Sequence, residues 1–153
     1  MNYMLIVVIG TSLGIGCYSG NSDSARPIFD RTAVGPTMRA GENCLRCHGE
    51  GRDGSSVKWS LGGTVFPERK SDIDDGYQGA KIVVTDAAGR TVEMTSNVVG
   101  NFWTAEALKF PLQAEIRVAD KVRKMPIPVP AGSCNACHSA SPAGGAEGAI
   151  VPP

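Results

Sequence analysis

Two copies of Cys-x-x-Cys-His, Cys44-Leu45-Arg46-Cys47-His48 and Cys134-Asn135-Ala136-Cys137-His138, hold both histidines of the chain and four of its five cysteines. Whatever the fold, it must present two sulfurs and an imidazole from one short turn, and it must do so twice. Structural zinc, thiol redox chemistry and covalently held haem all use cysteines at this spacing.

Zinc ribbons place their cysteine pairs about 15 to 20 residues apart, whereas residues 48–133 lie between Cys47 and Cys134. Each pair also carries its own histidine, which a four-thiolate zinc site does not need. Thioredoxin-like chemistry expects the pair beside a βαβ pattern, and none is visible. Haem accounts for every position: both thiols add to porphyrin vinyl groups as thioethers, and the adjoining imidazole becomes an axial iron ligand. The expectation is therefore two covalently bound c-type haems, held by Cys44, Cys47, Cys134 and Cys137, with His48 and His138 as proximal ligands.

That assignment commits both histidines. Neither iron can draw a second histidine from its own chain, and methionine is the usual alternative in electron-transfer haems. Met94, in "TVEMT", shares a strand face with Val92 and lies opposite Glu93, which makes it a core residue. Met38, in "PTMRAGENC", and Met125, in "KMPIPVPAGSC", each precede a haem motif in an irregular segment containing proline. They are the expected distal ligands, with the pairing of methionine to haem open. An iron without a distal ligand would instead suit peroxide chemistry or small-molecule binding.

The opening "MNYMLIVVIGTSLGIGC" carries an apolar stretch from Met4 to Gly16, too short to span a bilayer comfortably and ending on small residues. It reads as an export signal over residues 1–17. Small residues before Cys17 resemble a bacterial lipobox, although Leu13 stands one position too early. Lipidation of Cys17 would also account for the odd cysteine. The expected location is periplasmic, outer-membrane or extracellular, with a membrane contact through the lipid. Lys plus Arg and Asp plus Glu balance at 15 each, so net charge gives no pointer to nucleic acid.

Residues 18–37 are polar with Gly and Pro and read as a tether. Between the motifs the pattern changes to short β-branched or aromatic runs: "GGTVF" at 62–66, "AKIVVTD" at 80–86, "TVEMT" at 91–95, "NFWT" at 101–104 and "AEIRVA" at 114–119. "DAAGR" and "SNVVGN" separate three of them like hairpin turns. The expected fold is mainly β, a small β-sandwich at about 61–130 within a domain spanning 38–141. The two motif segments would flank it as short helices or loops, followed by a flexible tail at 142–153. Trp59 and Trp103 read as core residues that could alternatively pack on haem edges. Asp72, Asp74 and Asp75 lack the full spacing of a Ca²⁺ loop and read as a solvated turn. Arg46 reads as a solvent-facing side chain.

Residues 62–104, with their Gly-Thr-Val opening, "GAKIVVTDAAGR" and "SNVVGNF", resemble the carboxypeptidase regulatory-like (transthyretin-like) β-sandwich. From Met38 to Ser139 the chain is similar to a small bacterial dihaem c-type cytochrome family that frames such a domain with two haem motifs, a methionine preceding each. That resemblance implies electron transfer or a haem-bearing accessory role and supplies no partner. An electron carrier would serve redox proteins or other cytochromes. Haems in contact would favour transfer within one molecule, and haems at opposite poles would favour relay between molecules, including assembly into a chain. The resemblance supplies no peptidase site, so the alternative to an electron carrier is a haem enzyme or sensor with an open iron.

Overall fold

The five β-patterned runs and one further segment form strands in the computed structural model, which describes residues 34–69 and 75–153. In chain order these are β1 (Leu61–Thr64), β2 (Lys81–Thr85), β3 (Thr91–Thr95), β4 (Asn101–Thr104), β5 (Gln113–Val118) and β6 (Lys121–Lys124). One-turn helices lie outside them, α1 at Leu45–His48 and α2 at Cys134–Cys137. The protein is mainly β, with two antiparallel sheets: β1 pairs with β4, and the other four run β3-β2-β5-β6. This arrangement is consistent with a small β-sandwich. The export signal, Cys17, Asp72 and Asp74 lie outside the described residues.

Strand alternation decides which side chains go inward. Ile82 stands opposite both Met94 and Ile116, and Val84 opposite Val92 and Ala114. Ile82, Val84, Val92, Met94 and Ile116 join Leu61, Val65, Phe102, Leu112 and Val129 in one buried cluster. Met94 is thus a core residue, as its parity with Val92 implies. Removing such side chains from water stabilises the fold by roughly 1.5–3 kcal/mol each. On the outer face of the larger sheet, Val83 is also buried, opposite Glu93 and Glu115. The ion pairs Lys81–Glu93 at 3.0 Å and Lys124–Glu115 at 3.6 Å lie on this face, where long charged side chains shield apolar surface with their stems.

The β2–β3 turn is built around Asp86. Its Oδ1 accepts the amides of Ala88 at 2.8 Å and Arg90 at 3.0 Å, its Oδ2 accepts that of Lys109 at 3.3 Å, and Gly89 takes a φ of 82°. Burial works to raise the pKa of Asp86, but the amides of Arg90, Lys109 and Ala88, with the Arg90 charge, outweigh it and hold the carboxyl below its ordinary value. A carboxyl depressed by folding stabilises the fold above its unfolded pKa and loses that contribution as pH falls through its folded pKa. The urea midpoint of Asp86→Asn is expected to lie below that of the parent at pH 6. The gap should close as pH falls below about 4, the ordinary aspartate value. A gap independent of pH would contradict the role given to the ionised carboxylate.

Three elements depart from the sequence expectation. "SNVVGN" is not a hairpin turn. Asn97 Oδ1 accepts the amides of Val99 at 3.1 Å and Asn101 at 3.0 Å, Gly100 takes a φ of 79°, and the chain leaves β3 to enter the other sheet as β4. Strand β6, Lys121-Val122-Arg123-Lys124, is exposed throughout. It pairs with β5 as a sheet edge, and nothing in a run of cations around one valine signals a strand. Finally, the expected tail does not trail away. Ile150 bridges Val65, its carbonyl accepts the Phe66 amide at 2.8 Å, and Ala149 is buried.

Candidate functional site

Each pentapeptide closes a single helical turn. The His48 amide donates to the Cys44 carbonyl at 3.0 Å, and the His138 amide to the Cys134 carbonyl at 2.9 Å. Residues i, i+3 and i+4 of a helical turn share a side. The turn therefore carries both cysteines and the histidine of each motif on one side. Arg46, at i+2, is exposed.

Both imidazoles are held by the same kind of contact from unrelated loops. His48 Nδ1 lies 2.8 Å from the Val57 carbonyl and His138 Nδ1 lies 3.0 Å from the Gly148 carbonyl. A carbonyl oxygen only accepts, so each Nδ1 carries a proton, and in the neutral ring Nε2 is the nitrogen with the lone pair. That is the tautomer and orientation a ring needs to ligate a metal through Nε2. His48 has a second neighbour: the Trp59 ring stacks on it with centroids 3.7 Å apart and planes inclined by 7°. Trp103 lies beyond Trp59 at 5.1 Å and 20°.

The two motifs meet across β1. A Cβ at Gly62 would lie 3.1 Å from Cys44 Cβ, and one at Gly63 would lie 2.8 Å from Cys134 Cβ and 2.6 Å from Phe102 Cζ. Adjacent strand residues face opposite ways. The first cysteines of the two motifs therefore rest on the two faces of one bare stretch of strand. The Gly132 carbonyl accepts the amides of Gly62 at 3.0 Å and Cys134 at 3.1 Å, which ties the start of α2 to the same strand.

A buried polar node fastens the arrangement. Asn135, inside the second motif, accepts the Thr64 amide at 3.0 Å through Oδ1, while Nδ2 donates to the Glu42 carbonyl at 2.9 Å and to Thr64 Oγ1 at 3.0 Å. Thr64 Oγ1 also accepts the Gly41 amide at 2.9 Å and donates to Asn101 Oδ1 at 2.8 Å. Asn101 Nδ2 then reaches the Met38 carbonyl at 2.8 Å and the Pro36 carbonyl at 3.3 Å. Thr64, Asn101 and Asn135 are all buried, and these bonds use the hydroxyl fully and every side-chain amide N–H, with one bond at each amide oxygen. One node thus holds the segment before the first motif, β1, β4 and the second motif.

The cysteines themselves are poorly suited to thiol exchange. Burial pushes the Cys44 thiol up to about 11, with the Glu42 charge adding to it. Burial pushes Cys134 up to about 12, with nearby Cys44 contributing. Thiols of this kind are protonated at neutral pH, whereas redox-active Cys-x-x-Cys pairs depend on a lowered pKa. Cys44, Cys134 and Cys137 are free thiols. Among the described residues, no group of three or more His, Cys, Asp or Glu is placed to share one metal ion.

The methionines are placed differently. Met38 is half-buried in the turn that Asn101 ties to the node, which brings its segment to the first motif. Met125 packs against the core cluster, and its amide donates to the Ala114 carbonyl at 2.8 Å. Trp59 and Trp103 are half-buried in the stack on His48, not in the core cluster. Asp75 is exposed. Sequence reasoning missed Thr64, Asn101, Asn135 and the Gly62–Gly63 pair; of these, only two glycines inside a strand pattern signal a close approach beforehand. No family model matches the chain, and no curated protein or solved structure matches it.

Proposed function

We propose that the chain is an exported dihaem c-type cytochrome that passes electrons between redox proteins. The observation that carries this reading is the repeated imidazole arrangement: each histidine that follows a cysteine pair has its Nδ1 proton held by a carbonyl, which leaves Nε2 free to ligate. Cys44, Cys47, Cys134 and Cys137 would form the thioethers, each S–H adding across a vinyl group so that sulfur and hydrogen go to neighbouring carbons. His48 and His138 would be the proximal ligands. The haem, once bound, supplies a one-electron change at iron.

The chain's own contribution is rigidity at both sites. The Asn135–Thr64–Asn101 node and the Gly62–Gly63 strand hold the two attachment turns on the two faces of one strand, which favours transfer within one molecule over relay between opposite poles. In this reading the sheets form a carboxypeptidase regulatory-like sandwich that serves as scaffold, and Cys17 carries a lipid that anchors the exported protein to a membrane. Partners are other redox proteins, including further copies of this chain.

Met38 is the distal ligand with more support, because its segment is fastened beside the first motif. Met125 would have to turn away from the core cluster it packs against. The test is the visible spectrum of the reduced protein with and without carbon monoxide. Little binding and a weak near-infrared sulfur-to-iron band in the oxidised form are expected, and Met38→Ala should lose part of that band and open one haem to carbon monoxide. Ready binding by the unaltered protein would favour an open-iron enzyme or sensor.

A further inference from the structure

We infer that Trp59 is a positioning residue for His48 and that it makes the two histidine sites unequal; this rests on the reading of both as haem ligands. His48 is held on two sides by one short segment. Val57 supplies the carbonyl that fixes the Nδ1 edge at 2.8 Å. Two residues on, Trp59 covers a ring face at 3.7 Å and 7°. The Trp59 amide also donates to the His48 carbonyl at 2.8 Å, so the indole is anchored at its base to the residue whose ring it covers.

The indole is backed in turn. Trp103, on β4, lies 5.1 Å away at 20° and pairs in register with Gly62. A Cβ on Gly62 would stand 3.6 Å from the six-membered ring of Trp59, so the indole lies directly against bare strand. His138 has the edge contact alone, to the Gly148 carbonyl at 3.0 Å, and among the described residues no aromatic ring stacks on it.

The consequence is a difference between otherwise matching motifs. A hydrogen bond at Nδ1 fixes the tautomer and one edge of a ligating ring. A parallel aromatic face adds resistance to rotation about the bond from Nε2 to the metal, and it keeps water off that side of the imidazole. Ring orientation and local polarity both tune a bound metal. Trp59 therefore acts on the first site and leaves the second untouched.

The test compares Trp59→Leu and Trp59→Phe with the unaltered holoprotein, using the low-spin ferric electron paramagnetic resonance signals and a redox titration. Haem content is measured first, and a parent protein without haem overturns the proposed function and this inference together. With two haems present, Trp59→Leu should move one ferric signal and one redox wave while the other pair stays in place. Trp59→Phe, which keeps a ring face, should restore the parent values in whole or large part. Unmoved signals in Trp59→Leu overturn the role of Trp59 and leave the haem reading standing. Equal movement of both sites, or no recovery with Phe, also overturns it, because a general loosening of the fold would act that way.

Discussion

Asn135→Ala is expected to destabilise the protein by about 2 kcal/mol, mainly because the buried Thr64 amide is left unpaired at roughly 1–3 kcal/mol. That amide loses its partner at 3.0 Å, whereas the part-buried Glu42 carbonyl loses one at 2.9 Å and keeps the Cys44 thiol at 3.6 Å. Thr64 Oγ1 is less affected, because it keeps the Gly41 amide and Asn101. Asn135 lies between the cysteines of the second motif, a position where the thioether chemistry itself asks for no particular residue. Its loss should therefore separate the two attachment turns without removing a single haem-bonding group. Urea unfolding of parent and variant measures this as a lower midpoint at unchanged slope. A loss below about 1 kcal/mol, the size of an ordinary exposed hydrogen bond, would show that the node does not fasten the two motifs.

The Cys134→Ala/Cys137→Ala double variant is expected to lower the haem content of the exported protein from two per chain to one. The reciprocal pair, Cys44→Ala/Cys47→Ala, should do the same. Either change leaves the amide and hydroxyl bonds of the Asn135 node in place, the Cys44 pair removing only a thiol contact to the Glu42 carbonyl at 3.6 Å, and Ala occupies less space than Cys against Gly62 and Gly63. The untouched motif therefore keeps its turn, its carbonyl-held imidazole and its place on β1. Haem content by absorbance of the alkaline pyridine complex, per chain, checks both variants. Retention of two haems after either change would contradict attachment through those sulfurs. Loss of both haems after either change would show that the motifs load as one unit.

Strand parity made the β core legible from sequence. The alternation in "TVEMT" and "KIVVT" gives the inward set Ile82, Val84, Val92 and Met94, which the structure buries. The turn around Asp86 and Gly89 was legible for the same reason, since its chemistry is local. What failed was non-local. Whether "SNVVGN" closes a hairpin or carries the chain into another sheet depends on β4 finding β1, which residues 96–101 do not encode. Ile150 likewise pairs with Val65 across most of the domain, and a Gly/Pro-rich tail hides that.

The site divides along the same line. Cysteine and histidine spacing announces its chemistry because one turn of backbone must satisfy it. The supports arrive from distant segments: Val57 and Gly148 at the imidazoles, Thr64 and Asn101 at the node. Glycines at 62 and 63 were the one advance sign that something approaches the strand closely. The two motifs lie far apart in sequence, and only the fold shows that they share a strand.

The central claim is that both pentapeptides carry covalent haem, and the intact mass of the exported protein under denaturing, reducing conditions tests it most directly. The expected result is one species whose mass equals the processed chain plus two haems, with Cys44, Cys47, Cys134 and Cys137 all closed to alkylation. A mass equal to the chain alone, with these four cysteines open to alkylation, would contradict it.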